Sequence, residues 1–238
     1  MDDWVVVFCL SLFAGIAMPV GAAIARIERI RPSCLENEFR HSVIAFGGGA
    51  LLSAVALVLV PEGTRNLRPF STVICFSLGG LAFMALDVFL ASRKSSASQL
   101  AAMLSDFIPE SLALGAAFAL GGESGTLLAV LIALQNLPEG FNAYRELIES
   151  RTFTPGHIVA AFSALSLLGP AAALTGYFWL ADYPIIVSCI MVFSAGGILY
   201  VIFQDIAPQA KLERHWAPPL GAVGGFLLGL VGQMIIAA

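Results

Sequence analysis

The sequence predicts an all-α membrane protein that crosses the bilayer several times. Of its 238 residues, 58% are hydrophobic and only 12% are charged, whereas a water-soluble domain of this length carries many more surface charges. The apolar residues fall into runs long enough to span a bilayer as helices. The basic residues lie mostly in alternate connections between these runs. Composition, run length and charge placement therefore indicate the same fold class.

Eight apolar runs are each long enough for one membrane-spanning helix. We predict them at 4–25, 42–60, 70–91, 100–120, 126–144, 157–180, 185–207 and 217–238. A polar hinge, 26–41, joins the first two. The chain begins Met-Asp-Asp rather than with a basic segment, so we expect no cleaved signal peptide. No connection is long enough for a second domain, and we expect residues 1–238 to form one transmembrane domain.

The basic residues predict the orientation of these helices. Only Arg65 and Arg68 follow the second run. All other basic residues follow runs one, three, five and seven, which places most of the positive charge on one side of the membrane. We therefore expect both termini outside the cytoplasm. These basic residues are Arg26, Arg29, Arg31, Arg40, Arg93, Lys94, Arg145, Arg151, Lys211 and Arg214.

A weak internal repeat relates the second and seventh runs. The segment 46–52 begins with Phe, is rich in Gly and precedes Pro61; the segment 193–199 has the same features and precedes Pro208. The two runs cross in opposite directions, so this pattern predicts an inverted repeat, with runs 1–3 and 6–8 around runs 4–5. The alternative is a glycine-rich helix start used twice for close packing.

Runs four and five each carry a polar motif at mid-length. The motifs are Asp-Phe-Ile-Pro-Glu (106–110) and Gln-Asn-Leu-Pro-Glu (135–139). On a helix, the first and last residues of each motif lie one turn apart on one face. Each Pro also removes a backbone donor and so frees a carbonyl four residues back. Placing a carboxylate at mid-bilayer costs roughly 2.5–3.5 kcal/mol. These motifs therefore indicate a functional role rather than random sequence change.

Carboxylate, amide and carbonyl oxygens in one place suit a hard or borderline divalent cation. The predicted runs contain no central His and no Cys near the motifs, which argues against a copper(I) site. Interhelical hydrogen bonds between protonated carboxyls are the alternative interpretation. The four cysteines are far apart, and we expect packing residues rather than a disulfide framework. The candidate metal ligands are Asp106, Glu110, Gln135, Asn136 and Glu139.

These motifs resemble those of the ZIP (Zrt/Irt-like) divalent-metal transporters, in a divergent bacterial-type form. Residues 135–140 resemble the fifth-span metal-binding motif and 106–111 the fourth-span motif, while 193–209 and 45–63 resemble the seventh and second spans. The resemblance implies eight spans, external termini and a metal site at mid-membrane. It implies that Glu110 and Glu139 are the carboxylate ligands most central to that site.

The chain departs from the family pattern at several ligand positions. Asp106 and Phe107 stand where a His and an Asn are usual, and Gly169 replaces a frequent bridging Glu. Asn136 stands where Asp or Asn is found, and Leu51 where Met is frequent. These departures predict one metal position rather than two. They also favour a harder ion such as Mn(II) or Fe(II) over Zn(II).

Four further residues are candidates for the transport pathway. Asp87, Gln204 and Asp205 would line the cytoplasmic exit, or else serve as interfacial caps and hydrogen-bonding groups. Glu62 would attract cations at the outer entrance, or else be a solvated turn residue.

Together these features predict a single-domain transporter, not an enzyme, that moves a divalent cation toward the cytoplasm. Zinc is the expected substrate, with cadmium, iron and manganese as other candidates. The expected partners are the metal ion, the lipid bilayer and a second copy in a homodimer, with no nucleic acid, in a bacterial inner membrane. A metal sensor or structural protein without transport is the main alternative. An intramembrane metal-dependent hydrolase is disfavoured because no His-Glu-x-x-His occurs.

Overall fold

Long apolar runs fold as helices because a backbone in apolar surroundings must satisfy its own hydrogen bonds. The computed structural model describes residues 2–27, 34–92, 98–119, 124–180, 182–211 and 216–236. Within these ranges the chain is almost entirely helical and contains no strand. The prediction of an all-α protein is therefore confirmed.

The described residues form α-helices interrupted by three π-helical turns. The α-helices are α1 (Asp3–Ile27), α2 (Cys34–Ala54), α3 (Val60–Thr64), α4 (Pro69–Ser92), α5 (Ser98–Ala119), α6 (Ser124–Glu149), α7 (Pro155–Leu165), α8 (Leu168–Thr175), α9 (Pro184–Val201), α10 (Ala207–Ala210) and α11 (Ala217–Ile236). The π-helical turns are Val55–Leu59, Gly176–Leu180 and Ile202–Ile206.

Six helical segments in the described ranges are long and apolar enough to cross a membrane. This finding is consistent with an integral membrane protein, as predicted. The helices α5 and α6, which hold the predicted fourth and fifth spans, are 22 and 26 residues long but are not among the six. The six segments are Asp3–Ile27, His41–Thr64, Pro69–Leu90, Pro155–Leu180, Pro184–Ala210 and Ala217–Ile235.

Two local features differ from the sequence prediction. The predicted polar hinge 26–41 is helical from Cys34 onward, so α2 begins well before its apolar run. The predicted sixth run is also divided, into α7 and α8. The division has a cause in Pro170, which has no N–H to donate to the carbonyl of Ser166. The N–H of Gly169 donates to that carbonyl instead, at 3.3 Å.

Two of the π-helical turns lie at matching places in the weak internal repeat. The turn Val55–Leu59 is followed by Pro61, and the turn Ile202–Ile206 is followed by Pro208. Val60 donates its N–H to the carbonyl of Val55, and the first residue of α10 makes the same bond to Ile202. A proline just beyond a widened turn is a known cause of helix distortion. The same distortion thus occurs at the same offset from each glycine-rich helix start.

Helix packing places α5 and α6 at the centre of the bundle. The most extensive contacts join α1 with α6, α2 with α11, and α4 with α9, while α5 packs on α6 and α8. Glycines permit the closest of these approaches: an added Cβ at Gly140 would collide with the backbone of Met18 in α1. The outer helices α4 and α11 expose many large apolar side chains, as expected of surfaces that face lipid.

Candidate functional site

The polar motifs of α5 and α6 face each other in the interior of the bundle. Asp106 and Glu110 lie one turn apart on α5, and both are buried. Gln135, on α6, donates its Nε2–H to Glu110 Oε2 at 2.6 Å. Both α5 carboxylates are also electrostatic neighbours of Glu139. The structure therefore brings together four of the predicted ligands.

The fifth predicted ligand, Asn136, is also buried but is partly engaged elsewhere. Its Nδ2–H donates to the backbone carbonyl of Ala14 in α1 at 2.9 Å. This bond fixes the amide group and ties α6 to α1. The Oδ1 atom of Asn136 remains buried without a hydrogen-bond partner.

Several oxygens of this cluster are buried and unpaired. In native proteins nearly all buried polar atoms are hydrogen-bonded, and an unpaired one costs about 1–3 kcal/mol. Such a concentration of unpaired acceptors indicates a group that is added to the site, or a proton on some of the carboxyls. Among the described residues the unpaired oxygens of the motifs are Asp106 Oδ1, Glu110 Oε1, Gln135 Oε1, Asn136 Oδ1 and Glu139 Oε2.

The cluster is rich in oxygen but is not a closed cage of acidic ligands. Within the described ranges, no three side chains among His, Cys, Asp and Glu are grouped closely enough to hold a metal ion. One oxygen of Glu110 already accepts a hydrogen bond from Gln135. A cation bound here would therefore need amide or water oxygens in its shell as well, or a closer approach of the carboxylates.

Phe107 fills the space between α5 and α8. Its side chain is fully buried, and its ring lies where a Cβ on Gly169 of α8 would be. A Cβ added at Gly15 of α1 would lie 3.1 Å from the same ring. Any larger side chain at position 169 would collide with this ring. The two departures from the family pattern, Phe107 and Gly169, thus pack against each other.

A cavity of about 120 Å³ extends from the cluster toward one end of the bundle. Asp106 and Glu139 line its inner part, and Asp87 and Asp205 line it farther out. The Tyr200 hydroxyl donates to Asp87 Oδ2 at 3.1 Å. The space is large enough for several water molecules, so a route lined by polar side chains leads away from the buried carboxylates.

The four predicted pathway residues occupy different places. Asp87 and Asp205 line the cavity, as just described. Gln204 is exposed and does not line it. Glu62 lies within α3, and its Oε2 is paired with Arg65 Nη1 at 2.7 Å. The geometry thus brings two of the four close to the buried cluster.

Three polar residues that line this cavity, Asn142, Tyr200 and Gln209, were not among the residues predicted from the sequence. Asn142 follows Glu139 at a spacing of three residues on α6, so helical periodicity places both on one face. Tyr200 carries no such signal, because its role follows from a contact with Asp87 on a distant helix.

Comparisons with known proteins add no assignment: no protein-family model and no curated protein sequence matches this chain.

Proposed function

We propose that this protein moves a divalent transition-metal cation across a membrane through a site between α5 and α6, in the manner of the ZIP transporters that its motifs resemble. The observation that carries the proposal is the cluster of buried, unpaired oxygens on these two helices. Unpaired buried acceptors destabilise a protein, and one cation satisfies several of them at once. A transported ion would fill this role transiently, which suits a site that must also release it.

The proposed coordination follows from the oxygens that α5 and α6 bring together. Glu110 and Glu139 would be the central carboxylate ligands, with Asp106 and Gln135 completing the shell. Asn136 would contribute its free Oδ1 only if the ion lies toward α1, because its amide nitrogen is held there. Zinc is the first candidate, with cadmium, iron(II) and manganese(II) beside it. The resemblance to the ZIP transporters puts zinc first, whereas a shell made of oxygen without imidazole or thiolate would by itself favour the harder Mn(II) and Fe(II).

Phe107 supports a single metal position rather than two. In the family pattern that the sequence resembles, an Asn and a bridging Glu would stand where Phe107 and Gly169 lie. Here an aromatic ring occupies the space between α5 and α8. An apolar ring offers no oxygen and excludes water from that space, so we place one ion at a time beside Asp106 and Glu110.

The cavity supports a route between the site and the cytoplasm. It opens from Asp106 and Glu139 toward Asp87 and Asp205, near the carboxyl ends of α4, α6 and the segment α9–α10. Arg145 and Lys211 lie at those same helix ends, and basic residues favour the cytoplasmic side. We therefore assign this end to the cytoplasm and the chain termini to the outside.

The packing pattern supports an inverted repeat of eight spans. The pair α2–α11 corresponds to the pair α4–α9, and the pair α1–α6 corresponds to α5–α8, when spans 1–3 are matched in order to spans 6–8 and span 4 is matched to span 5. The matching π-helical turns before Pro61 and Pro208 add a second correspondence. Repeats of opposite orientation are common in carriers that rock one bundle against another around a fixed site.

Uptake into proteoliposomes tests this proposal. Purified protein would be compared for Zn(II), Cd(II), Mn(II) and Fe(II), with Glu139→Gln as the site variant, since it removes the charge and keeps the shape. Glu149→Gln is the matched control, because Glu149 is exposed on the same helix. We expect saturable uptake that is lost in the first variant and kept in the second.

A metal sensor without transport is the second candidate, and the ring of Phe107 at the place of a possible second ligand set favours it. Binding without flux distinguishes the two: if metal stabilises the wild-type protein but none of the four ions enters the vesicles, the transport proposal fails and the sensor remains. We further propose that the protein lies in a bacterial inner membrane and forms a homodimer. Size-exclusion chromatography coupled to light scattering tests the oligomeric state.

A further inference from the structure

The helices α4 and α9 run side by side in the same direction. Gly79 lies against the carbonyl of Phe193, and one turn later Phe83 lies against Gly197. A step of one turn along α4 thus corresponds to a step of one turn in the same direction along α9, so the two helices are parallel. In both contacts the missing Cβ of a glycine permits the approach, and such small residues let helices pack at short distance.

The same register brings two cysteines together one turn earlier. Cys75 precedes Gly79 by four residues, and Cys189 precedes Phe193 by four residues. Both are free thiols and both are partly exposed. The two side chains are close enough to interact electrostatically. The backbone register and the proximity of the thiols therefore agree, although the two residues are far apart in sequence.

The cysteine pair lies at the end of the bundle opposite to the acidic cavity. Both residues are within two turns of the helix starts at Pro69 and Pro184. Next to Cys189, Ser188 accepts a hydrogen bond from Asn66 Nδ2 at 3.3 Å, and Asn66 belongs to the exposed connection before α4. The pair is therefore close to the aqueous boundary of the bundle.

We propose that Cys75 and Cys189 are a modification site, a thiol pair that closes reversibly to an intramolecular disulfide and clamps α4 to α9. Glycine-mediated contacts bring the two backbones close together, as a disulfide requires of the residues that it joins. On the topology proposed above, this end of the bundle faces the extracytoplasmic side, where disulfides persist. The cross-link itself depends only on the α4–α9 contact and not on transport.

The chemistry is thiol–disulfide exchange with a small-molecule disulfide as the oxidant. One cysteine thiolate attacks a sulfur of that disulfide, forming a mixed disulfide and releasing one small thiol. The second cysteine thiolate attacks the protein sulfur of the mixed disulfide, forming the Cys75–Cys189 bond and releasing the second small thiol. The two protons lost by the cysteines go to the two leaving thiolates. The protein loses two electrons, and the small disulfide gains them.

The clamp would act on the cavity through the same two helices. At their other end, Tyr200 of α9 donates to Asp87 of α4, and both residues line the acidic cavity. A covalent bond near the helix starts restricts sliding of α4 along α9 and so stabilises this contact. Oxidation is thus expected to raise the thermal midpoint of the protein, and a reductant is expected to reverse that rise.

Thiol mapping of the whole purified protein tests the proposal. The protein in detergent would be treated with oxidised glutathione, then alkylated, digested without reduction and analysed by mass spectrometry. We expect one cross-linked peptide pair that contains Cys75 and Cys189, lacks two hydrogen atoms relative to the free thiols and disappears on reduction. Cys9, which is exposed on α1, serves as the internal control and should remain alkylated.

Two variants sharpen the result. In Cys75→Ser the cross-linked pair should be absent and the Cys189 thiol should be alkylated, while Cys9→Ser should change nothing. If Cys75 and Cys189 are both fully alkylated after oxidation of the wild-type protein, or if they cross-link only between two copies, the proposal is overturned. The wild-type measurement does not depend on whether a variant folds, and neither result bears on metal uptake.

Discussion

Replacing Gly169 with alanine puts a methyl group where the ring of Phe107 already lies. The added Cβ would collide with Cζ of that ring and would lie 3.0 Å from the backbone oxygen of Ser11. The ring is fully buried and also approaches Gly15 on its other side. We therefore expect Gly169→Ala to destabilise the protein, although alanine favours helix over glycine by about 1 kcal/mol.

The magnitude follows from the cost of overpacking. Forcing an extra carbon into a filled core typically costs about 1–3 kcal/mol. Phe107→Ala removes the ring and leaves a cavity, which costs about 3–5 kcal/mol. With the ring absent, the methyl group at position 169 has room on that side. The double variant should therefore be less destabilised than the sum of the single variants by about 1–2 kcal/mol, a typical coupling between residues in contact.

The assay is thermal unfolding, in one detergent, of the wild type, the two single variants and the double variant. Gly156→Ala is the matched control. A Cβ added at Gly156 meets no atom within 4 Å, so this substitution should be neutral or slightly stabilising. The ring of Phe107 does not limit the space at position 169 if Gly169→Ala destabilises the protein no more than Gly156→Ala. The same follows if the destabilisation in the double variant equals the sum for Gly169→Ala and Phe107→Ala. Phe107→Leu replaces Phe107→Ala if the latter does not yield folded protein.

Three further outcomes are expected. Asp87→Asn should slow metal uptake in the proteoliposome assay because Asp87 lines the cavity. Gln204→Ala, at an exposed position, should leave the initial uptake rate unchanged. If the two variants take up metal at equal initial rates, Asp87 is not part of the route. Gln135→Leu should lower stability by about 1–3 kcal/mol in thermal unfolding, because Glu110 Oε2 loses its buried donor. Metal at about 100 times its dissociation constant should stabilise the wild-type protein by about 2.7 kcal/mol. Glu139→Gln should reduce this metal-dependent stabilisation. If the variant is stabilised as much as the wild type, the ion binds elsewhere.

The helices could be predicted well from the sequence because the bilayer leaves the backbone few choices. The predicted run 70–91 corresponds to α4 (Pro69–Ser92), and 4–25 corresponds to α1 (Asp3–Ile27). Helix ends set by tertiary contacts were less predictable. The run 157–180 contains a proline that divides it, and whether a proline divides or only bends a helix depends on what surrounds it.

The polar motifs could also be predicted, since a carboxylate in an apolar run is costly and therefore conspicuous. Their spacing places Asp106 over Glu110 on one face of α5, and both are indeed buried. The hydrogen bond from Gln135 to Glu110, by contrast, depends on how α5 and α6 dock. The role of a metal ion at these side chains stays a prediction that uptake and binding will decide.

Residue types and their spacing along one helix account for the local properties, which are an all-helical chain with runs apolar enough for a membrane and a polar motif inside each of two helices. Which distant residues meet depends instead on how the helices pack. The packing places Phe107 against Gly169, Tyr200 against Asp87, and Cys75 beside Cys189. Such contacts depend on the relative register of whole helices, which arises from the packing of many side chains at once and leaves no signature at any single position.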